Sequence, residues 1–295
     1  MKLGFIGLGN IGSVMARRLV EQGHALTVHD INPAATQSLA AAGATVATSI
    51  TDMARTCDTV LLSLPMPDIV RAVANELTNG LTTETRIQHI IDLSTTGASM
   101  SATIADDVAR QNIAWLDAPV SGGVSGAANG TLAIMVSGPE SVYRETELLL
   151  RQIGSRIFYL GDKAGQAQTM KVVNNFMAAA SIISCCEGLV FGAKAGIDTA
   201  TMLDVLNASS GRTYATEKRV PDAVLGRRFP TVFTAGLMHK DVKLCLDEAG
   251  KMGMPMWMGS AVQQFLAFAV SQGAGNRDLV EVIKCYESLT GVEVN

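Results

Sequence analysis

Residues 164–196, AGQAQTMKVVNNFMAAASIISCCEGLVFGAKAG, are apolar or small on nearly every side, yet they contain Lys171, with Asn174 and Asn175 one turn on. Read as a helix, the stretch places Lys171 and Asn175 at i and i+4, on one face. Two fates are open to the lysine. It snorkels to solvent, the usual course for a lysine on a helix, or it faces a cleft as an acid–base group. Desolvation lowers the pKa of an ammonium and brings proton exchange toward neutral pH. In that second case the Asn175 amide can orient the ammonium or a substrate hydroxyl.

Two other clusters have the chemistry to bind anions. LDAPVSGGVSGAANG presents Ser121, Gly122 and Gly123, a hydroxyl and backbone N–H groups that suit a carboxylate nest; the alternative is a flexible hairpin loop. LGFIGLGNIGSVMARRL carries Gly7, Gly9 and Gly12 in G-x-G-x-x-G spacing, with Leu8, Asn10 and Ile11 between them. The context is strand, tight turn, helix, as a dinucleotide site demands. Gly7 permits the turn, Gly9 lets backbone approach a pyrophosphate, and Gly12 lets helix pack on strand. The helix N-terminus then faces the phosphates.

The next strand, LTVHD, ends at Asp30. A carboxylate there accepts both ribose hydroxyls of the adenosine half and repels a 2′-phosphate. The residues that follow, INPAATQ, hold no base. The cofactor expected is therefore NAD, with NADP disfavoured. Leu64, Pro65 and Met66 of SLPMPDIV are expected to line the crevice at the strand ends, although the prolines equally suit a helix start. Ser94 and Thr95 of IIDLSTTG are placed to reach the nicotinamide end, or else to cap the next helix.

These residues need elements to hold them. Over residues 1–162, short β-rich runs (KLGFIG, LTVHD, TVLLSL, IQHIIDLS, IAWLDAP, LAIMVSG and RIFYL) alternate with helical periodicity. Such alternation signals βαβ units and a mostly parallel sheet covered on both faces. From residue 163 the pattern is helical: 164–195, 199–208, 213–225, 236–251, 259–272 and 276–289. Gly196 marks a C-terminal stop and Asp198 an N-cap. The expected organisation is an α/β dinucleotide-binding domain, 1–162, then an all-helical substrate and oligomerisation domain, 163–295. One long interdomain helix, covered on most sides, joins them.

Composition narrows the function classes. With 48% hydrophobic and 17% charged residues, the 295-residue chain has the make-up of a packed protein, not a disordered one. A net charge of −4 argues against nucleic acid. No apolar run reaches a membrane span without a Gly or a charge interrupting it, and the start MKLGFIGLGNIG reads as strand and turn, not as a leader. The five cysteines are scattered, with no metal spacing, which suggests small buried hydrophobes in a reducing compartment such as the cytoplasm.

The blocks GFIGLGNIGSVMARRL, DAPVSGG, KAGQAQTMKVVNN and HKDVKL occur in this order and span nearly the whole chain. Together they resemble the signature blocks of the 3-hydroxyisobutyrate dehydrogenase (β-hydroxyacid dehydrogenase) family. The resemblance implies a Rossmann domain followed by an all-helical one, with the active site between them. It implies Lys171 as catalytic acid–base assisted by Asn175. It implies substrate carboxylate on Ser121, Gly122 and Gly123, Thr95 beside the nicotinamide, and Lys240 reaching cofactor or substrate. Two departures are STTGAS, where the family often has a nearby Pro, and the Asn10 and Ser13 variations in the phosphate turn.

NASSGRTYATEK places Arg212 in the helical half and looks more like the 2-(hydroxymethyl)glutarate dehydrogenases than the isobutyrate enzymes. A guanidinium can grip a second carboxylate; a solvated helix-start arginine is the alternative. The expected substrate is a small 3-hydroxy acid or its semialdehyde, including a dicarboxylic one such as 2-(hydroxymethyl)glutarate. Rival readings are a tartronate-semialdehyde-type reductase, an imine reductase, a decarboxylating phosphosugar dehydrogenase and a non-catalytic NAD-binding scaffold. Lys171 speaks against the imine reductase and the scaffold; the short helical half speaks against the phosphosugar enzyme. His24 and His89 have no partners by sequence, His29 reads as packed or surface, and His239 is a cleft candidate. The run KMGMPMWMG reads as core and interface packing. A homodimer or homotetramer is expected, with no metal and no membrane.

Overall fold

Five of the β-rich runs of the N-terminal half pair, with the short strand Thr45–Val46, as a six-stranded, wholly parallel sheet. The computed structural model describes residues 1–79 and 85–295. Strands β1 (Leu3–Ile6), β2 (Leu26–His29), β3 (Thr45–Val46), β4 (Thr59–Leu62), β5 (His89–Asp92) and β6 (Ala114–Asp117) lie in the order β3-β2-β1-β4-β5-β6. β1, β4 and β5 are buried at every position, as strands covered on both faces must be. Helices α1 (Gly12–Glu21), α2 (Pro33–Ala40), α3 (Ile50–Thr56), α4 (Pro67–Thr78) and α5 (Ala98–Ala109) supply the crossovers.

The register aligns the strands' carboxyl ends. His29, Ile6, Leu62, Asp92 and Asp117 form one row across the sheet. Residues just past that row line a single edge, and the order reverses there between β1 and β4. Open α/β sheets bind their ligands at such an edge. The residues just beyond the row are Asp30, the Gly7 turn, Leu64–Met66, Ser94–Thr96 and the chain leading to Ser121.

A second, smaller sheet departs from the sequence-based expectation. LAIMVSG and RIFYL are not strands of the main sheet, which LAIMVSG meets at the antiparallel bridge of Ser137 to Asp117; β8 (Ala133–Val136) pairs antiparallel with β7 (Val120–Ser121) and parallel with β9 (Arg156–Tyr159). The Gly- and Ser-rich stretch is likewise not a plain loop. It holds β7 and the short helix α6 (Gly123–Asn129). α7 (Glu140–Ile153) precedes β9.

Helix α8 runs Gln166–Lys194, close to the expected span. The chain divides into two compact units within it, Met1–Lys171 and Val172–Asn295. The division falls later than the strand-to-helix change at residue 163 because the start of α8 is tied to the sheet by hydrogen bonds. Gly165 N–H donates to Asp117 Oδ2 and Ala167 N–H to Ser137 Oγ, 2.9 Å. By length and mean apolarity alone, α8 passes for a membrane span, although Lys171, Glu187 and Gly188 interrupt its apolar run, as the sequence reading has it. Nor is it covered all round: Met177 and Phe191 are exposed, while Ala179, Ile182, Cys186, Leu189 and Val190 enter the core of the second unit.

That unit is helical, as expected, with irregular turns where regular helix was anticipated. α9 (Thr199–Asn207) is capped by Asp198, which accepts from Thr201 N–H at 2.8 Å, and Gly196 stops α8 with φ +85°. A π-helical turn (Ala215–Arg219) leads into α10 (Val220–Val224). α11 (Ala235–Lys251) and α12 (Trp257–Ala269) follow, α12 continuing as a second π turn, Val270–Ala274. A 3₁₀ turn (Leu279–Val282) opens α13 (Ile283–Thr290). One buried ion pair braces this unit. Arg219 Nη2 donates to Asp278 at 2.8 and 3.0 Å, and Asp278 also accepts from Val232, Phe233 and Val280 N–H. A buried charge is tolerable only when paired and hydrogen-bonded in this way.

Candidate active site

The turn after β1 has the tight glycine geometry that the spacing predicts. Gly7 takes φ +92°, and a Cβ there would stand 2.3 Å from Ser63 O. A Cβ on Gly12 would stand 2.1 Å from Gly7 O, so helix and strand meet there at backbone contact. A Cβ on Gly9 would meet nothing within 4 Å, which leaves that face open to a phosphate. No side chain caps α1, so its leading N–H groups at Asn10–Gly12 remain for an anion. Asp30 is fixed beside the turn: Oδ2 accepts from Leu8 N–H at 2.6 Å and Oδ1 from Asn32 N–H at 2.8 Å. The next residue, Ile31, is almost fully exposed. Open backbone at Gly9 and a carboxylate at the end of β2 fit NAD.

Beyond β4 and β5 the edge is built from backbone locked by buried polar groups. Leu64 N–H donates to Ser94 Oγ at 2.9 Å; Pro65 and Met66 lie exposed beside it. Thr95 is half-buried between Ser94 and Thr96, both buried. Beneath them Asp92 accepts from Ser94 N–H at 3.0 Å and from Thr96 Oγ1 at 2.5 Å. Burial pushes the Asp92 carboxyl up to about 6; hydrogen bonds from Thr96 and Ser94 pull it down and the Asp117 charge adds to the rise. Gln168, on the first turn of α8, bonds to the same turn. Three residues on, Lys171 is buried with 8% of its surface exposed. Ser121 ends β7, half-buried, and Gly122 and Gly123 take φ +132° and +64° at the start of α6.

The remaining candidates belong to the second unit. Asn175 Nδ2 donates to Asp241 Oδ2 at 2.6 Å, and Asn174 Nδ2 to Asn175 Oδ1 at 3.1 Å. Lys240 Nζ lies 3.1 Å from Asp241 Oδ1. Asn175 and Lys240 thus meet through one buried carboxylate. Arg212 stands apart from this cluster. It is exposed and lies 3.6 Å from Glu217. Its neighbours Gly211 and Thr213 line a cavity of about 210 Å³ with Ser181, Ser184, Cys185 and Gly188 of α8, six or more residues beyond Asn175.

Gln168, Asp92, Asp117 and Asp241 escaped the sequence reading. Gln168 and Asp241 lie inside quoted blocks, beside Lys171 and Lys240, where the more reactive neighbour drew the attention. Asp92 and Asp117 each end a hydrophobic strand, a position where an acid needs explaining. Two histidines have partners that sequence distance concealed. His24 Nε2 meets Gln152 Oε1, and His89 Nδ1 meets Thr59 Oγ1 at 3.3 Å with Glu145 3.8 Å from its other nitrogen. His239 Nε2 contacts Gln263 Nε2 at 2.9 Å. Among the described residues no group of His, Cys, Asp and Glu is arranged to hold a metal, and all five cysteines are free thiols.

A parallel sheet with a Gly-rich turn after β1 and a carboxylate after β2 marks the first unit as a dinucleotide-binding domain. Residues 2–161 match the NAD-binding domain of 6-phosphogluconate dehydrogenase, and residues 165–286 the NAD-binding domain of NADP-dependent 3-hydroxyisobutyrate dehydrogenase. The chain is 36% identical over 296 residues to 2-(hydroxymethyl)glutarate dehydrogenase of Eubacterium barkeri, covering 100% of this chain and 98% of that one. It is 34% identical to the mitochondrial 3-hydroxyisobutyrate dehydrogenase of Drosophila melanogaster, covering 94% and 86%. The structure of Mycobacterium tuberculosis 3-hydroxyisobutyrate dehydrogenase with L-serine superposes with a TM-score of 0.87 at 31% identity, over 96% of this chain and 98% of that one. This chain belongs to the 3-hydroxyisobutyrate dehydrogenase family and is a β-hydroxyacid dehydrogenase. Imine reductases share the fold at 17–18% identity.

Two predictions follow from this geometry. Asp30→Ser combined with Ile31→Arg removes the carboxylate and adds a guanidinium, and should move the ratio of kcat/KM for NAD over NADP toward NADP by about 100-fold. An unchanged ratio would remove Asp30 as the determinant. Asp92 titrates near 3.8 unfolded and about 6 folded. Its stabilising share is therefore complete below about pH 4 and lost as pH rises through about 6, by roughly 3 kcal/mol. Urea unfolding of wild type and Asp92→Asn should diverge in the variant's favour by about that amount between about pH 4 and pH 7; parallel curves would refute the assignment.

Proposed function

We propose that this chain oxidises the β-hydroxyl of a small 3-hydroxy acid bearing a second acidic arm, and reduces the matching semialdehyde in reverse. Lys171 accepts the hydroxyl proton, and in reverse returns it to the forming alkoxide. NAD held at the Gly7–Gly12 turn and Asp30 would supply the hydride acceptor for the carbon that bears this hydroxyl. Ser121 and the Gly122–Gly123 backbone hold the first carboxylate, Asn175 orients the reacting hydroxyl, and Lys240, held beside Asp241, reaches cofactor or substrate. The observation that carries this reading is the burial of Lys171 just past the edge where the dinucleotide turn lies. A snorkelling lysine would leave its ammonium in water, whereas this residue is 8% exposed.

The second acidic arm rests on Arg212 and on likeness to a 2-(hydroxymethyl)glutarate dehydrogenase. Arg212 lies beside α8 positions roughly 9 Å or more beyond Asn175, at 1.5 Å per residue. A short dicarboxylate reaches it only if the Arg212 side chain swings toward Asn175 and leaves Glu217. NAD preference rests on Asp30. We also infer self-association through exposed apolar side chains such as Met177, Phe191 and Trp257; light scattering that finds only monomers at micromolar concentration would rule it out.

One coupled assay over hydroxy acids tests the chemistry. Lys171→Ala should lower kcat by about 10²–10⁴-fold, the usual share of a general acid–base group, with NADH affinity retained. Arg212→Ala should raise KM for 2-(hydroxymethyl)glutarate about tenfold, the loss of one charge-assisted contact, and leave 3-hydroxyisobutyrate unchanged. A fully active Lys171→Ala enzyme would end the acid–base assignment, and equal effects on the two substrates would end the role given to Arg212.

A further inference from the structure

We propose that Gln168 is a positioning residue. Its side chain is the strut that fixes Lys171 relative to the Thr95 turn. The inference rests on the reading of Lys171 as the acid–base group. Gln168 is completely buried, and its amide is matched at both ends. Oε1 accepts from Thr96 N–H at 2.9 Å, and Nε2 donates to Ser94 O at 3.1 Å and Asp92 Oδ2 at 3.3 Å. One planar amide thus grips the backbone on either side of Thr95. The same residue precedes Lys171 by three positions, so both share one face of α8.

The network extends beyond the amide. Asp92 also holds Ser94 N–H and Thr96 Oγ1, and Ser94 Oγ takes Leu64 N–H. The turns after β4 and β5 and the first turns of α8 therefore form one hydrogen-bonded body. An alcohol oxidation removes a hydride and a proton from one H–C–O–H unit. The group that takes the proton must be placed against the surface that holds the hydride acceptor, and a displacement of about 1 Å costs about 10²-fold in rate. Glutamine suits this position because it both donates and accepts. A glutamate would set a carboxylate against Asp92 and Ser94 O, and methionine would leave Thr96 N–H and Asp92 short of a partner.

The start of α8 has independent anchors. Asp117 takes Gly165 N–H and Ser137 takes Ala167 N–H, so the helix stays docked when Gln168 is replaced and the loss is one of alignment. The experiment compares Gln168→Met, Gln168→Glu, Gln168→Glu with Asp92→Asn, and Lys171→Ala in the full chain. It measures kcat, KM for the hydroxy acid, NADH affinity, the substrate deuterium isotope effect and thermal stability. Both single Gln168 variants should lose about 10- to 100-fold in kcat, with KM and NADH affinity changed less than about threefold. Their isotope effect on kcat should rise as chemistry becomes rate-limiting. The double variant reverses the donor and acceptor between residues 92 and 168, and should recover about tenfold over Gln168→Glu. Wild-type kcat per folded molecule in both single variants, or no recovery in the double variant, would overturn the strut. An active Lys171→Ala enzyme would instead overturn the acid–base reading; an inactive one alongside normal Gln168 variants isolates the failure to the strut.

Discussion

Two carboxylates with no exposed surface, Asp92 and Asp117, end neighbouring strands β5 and β6 as register partners. A buried acid must be hydrogen-bonded or it destabilises the fold, and this requirement organises the surroundings. Asp117 is satisfied by Ser101, by Trp115 Nε1 at 3.1 Å, by Ser137 at 3.0 Å and by the backbone of Gly165. Asp92 is satisfied by Ser94, Thr96 and Gln168. Each acid therefore ties a sheet edge to the start of α8. Apolar residues of equal size would pack there, but they would hold α8 by contact alone, without a fixed register. Directional bonds set where the next turn, and so Lys171, falls.

The residues expected to hold the cofactor and Lys171 fall in one unit, along the same edge. Every residue expected to touch NAD from the first unit lies just beyond the aligned row His29–Ile6–Leu62–Asp92. Gly7 and Gly12 shape the turn because backbone, not side chain, fills the space around them, while Gly9 leaves space unfilled. Asp30 has two tasks. Its carboxylate is the group the sequence reading assigns to the ribose, and it holds Leu8 and Asn32 N–H, stiffening the turn that it neighbours.

Most of this was legible in the sequence because it is local. The βα turn, the caps at Asp198 and Gly196, and the 3.6-residue pattern after residue 163 are short-range signals. Five of the six parallel strands follow from their apolar runs; the two-residue, exposed β3 does not. What escaped was non-local. Nothing in LAIMVSG or RIFYL says which sheet a strand will join, and β7 is too short to announce itself. Gln168 and Asp92 are 76 residues apart in sequence and bonded in space, and Asp117 meets Gly165 across 48. The exposed Met177 and Phe191 of α8 were hidden for the opposite reason. A helix apolar all round reads as buried all round, and periodicity cannot mark which face the fold leaves open.

An ammonium within the apolar helix α8 has a physical explanation in two halves. From Val172 onward α8 supplies core, with Ala179, Ile182, Cys186 and Leu189 buried in the second unit, and apolarity there is the ordinary demand of packing. Before Val172 the demands differ. Gly165, Ala167 and Gln168 each spend a polar group on the sheet edge, so the backbone under Lys171 is held at three points. A lysine side chain loses up to about 2 kcal/mol of rotamer freedom when ordered, and desolvation of its charge opposes burial further. Stability alone selects a smaller apolar residue at such a position. A lysine placed there, on backbone stiffened by matched hydrogen bonds, is what proton transfer at a fixed point requires.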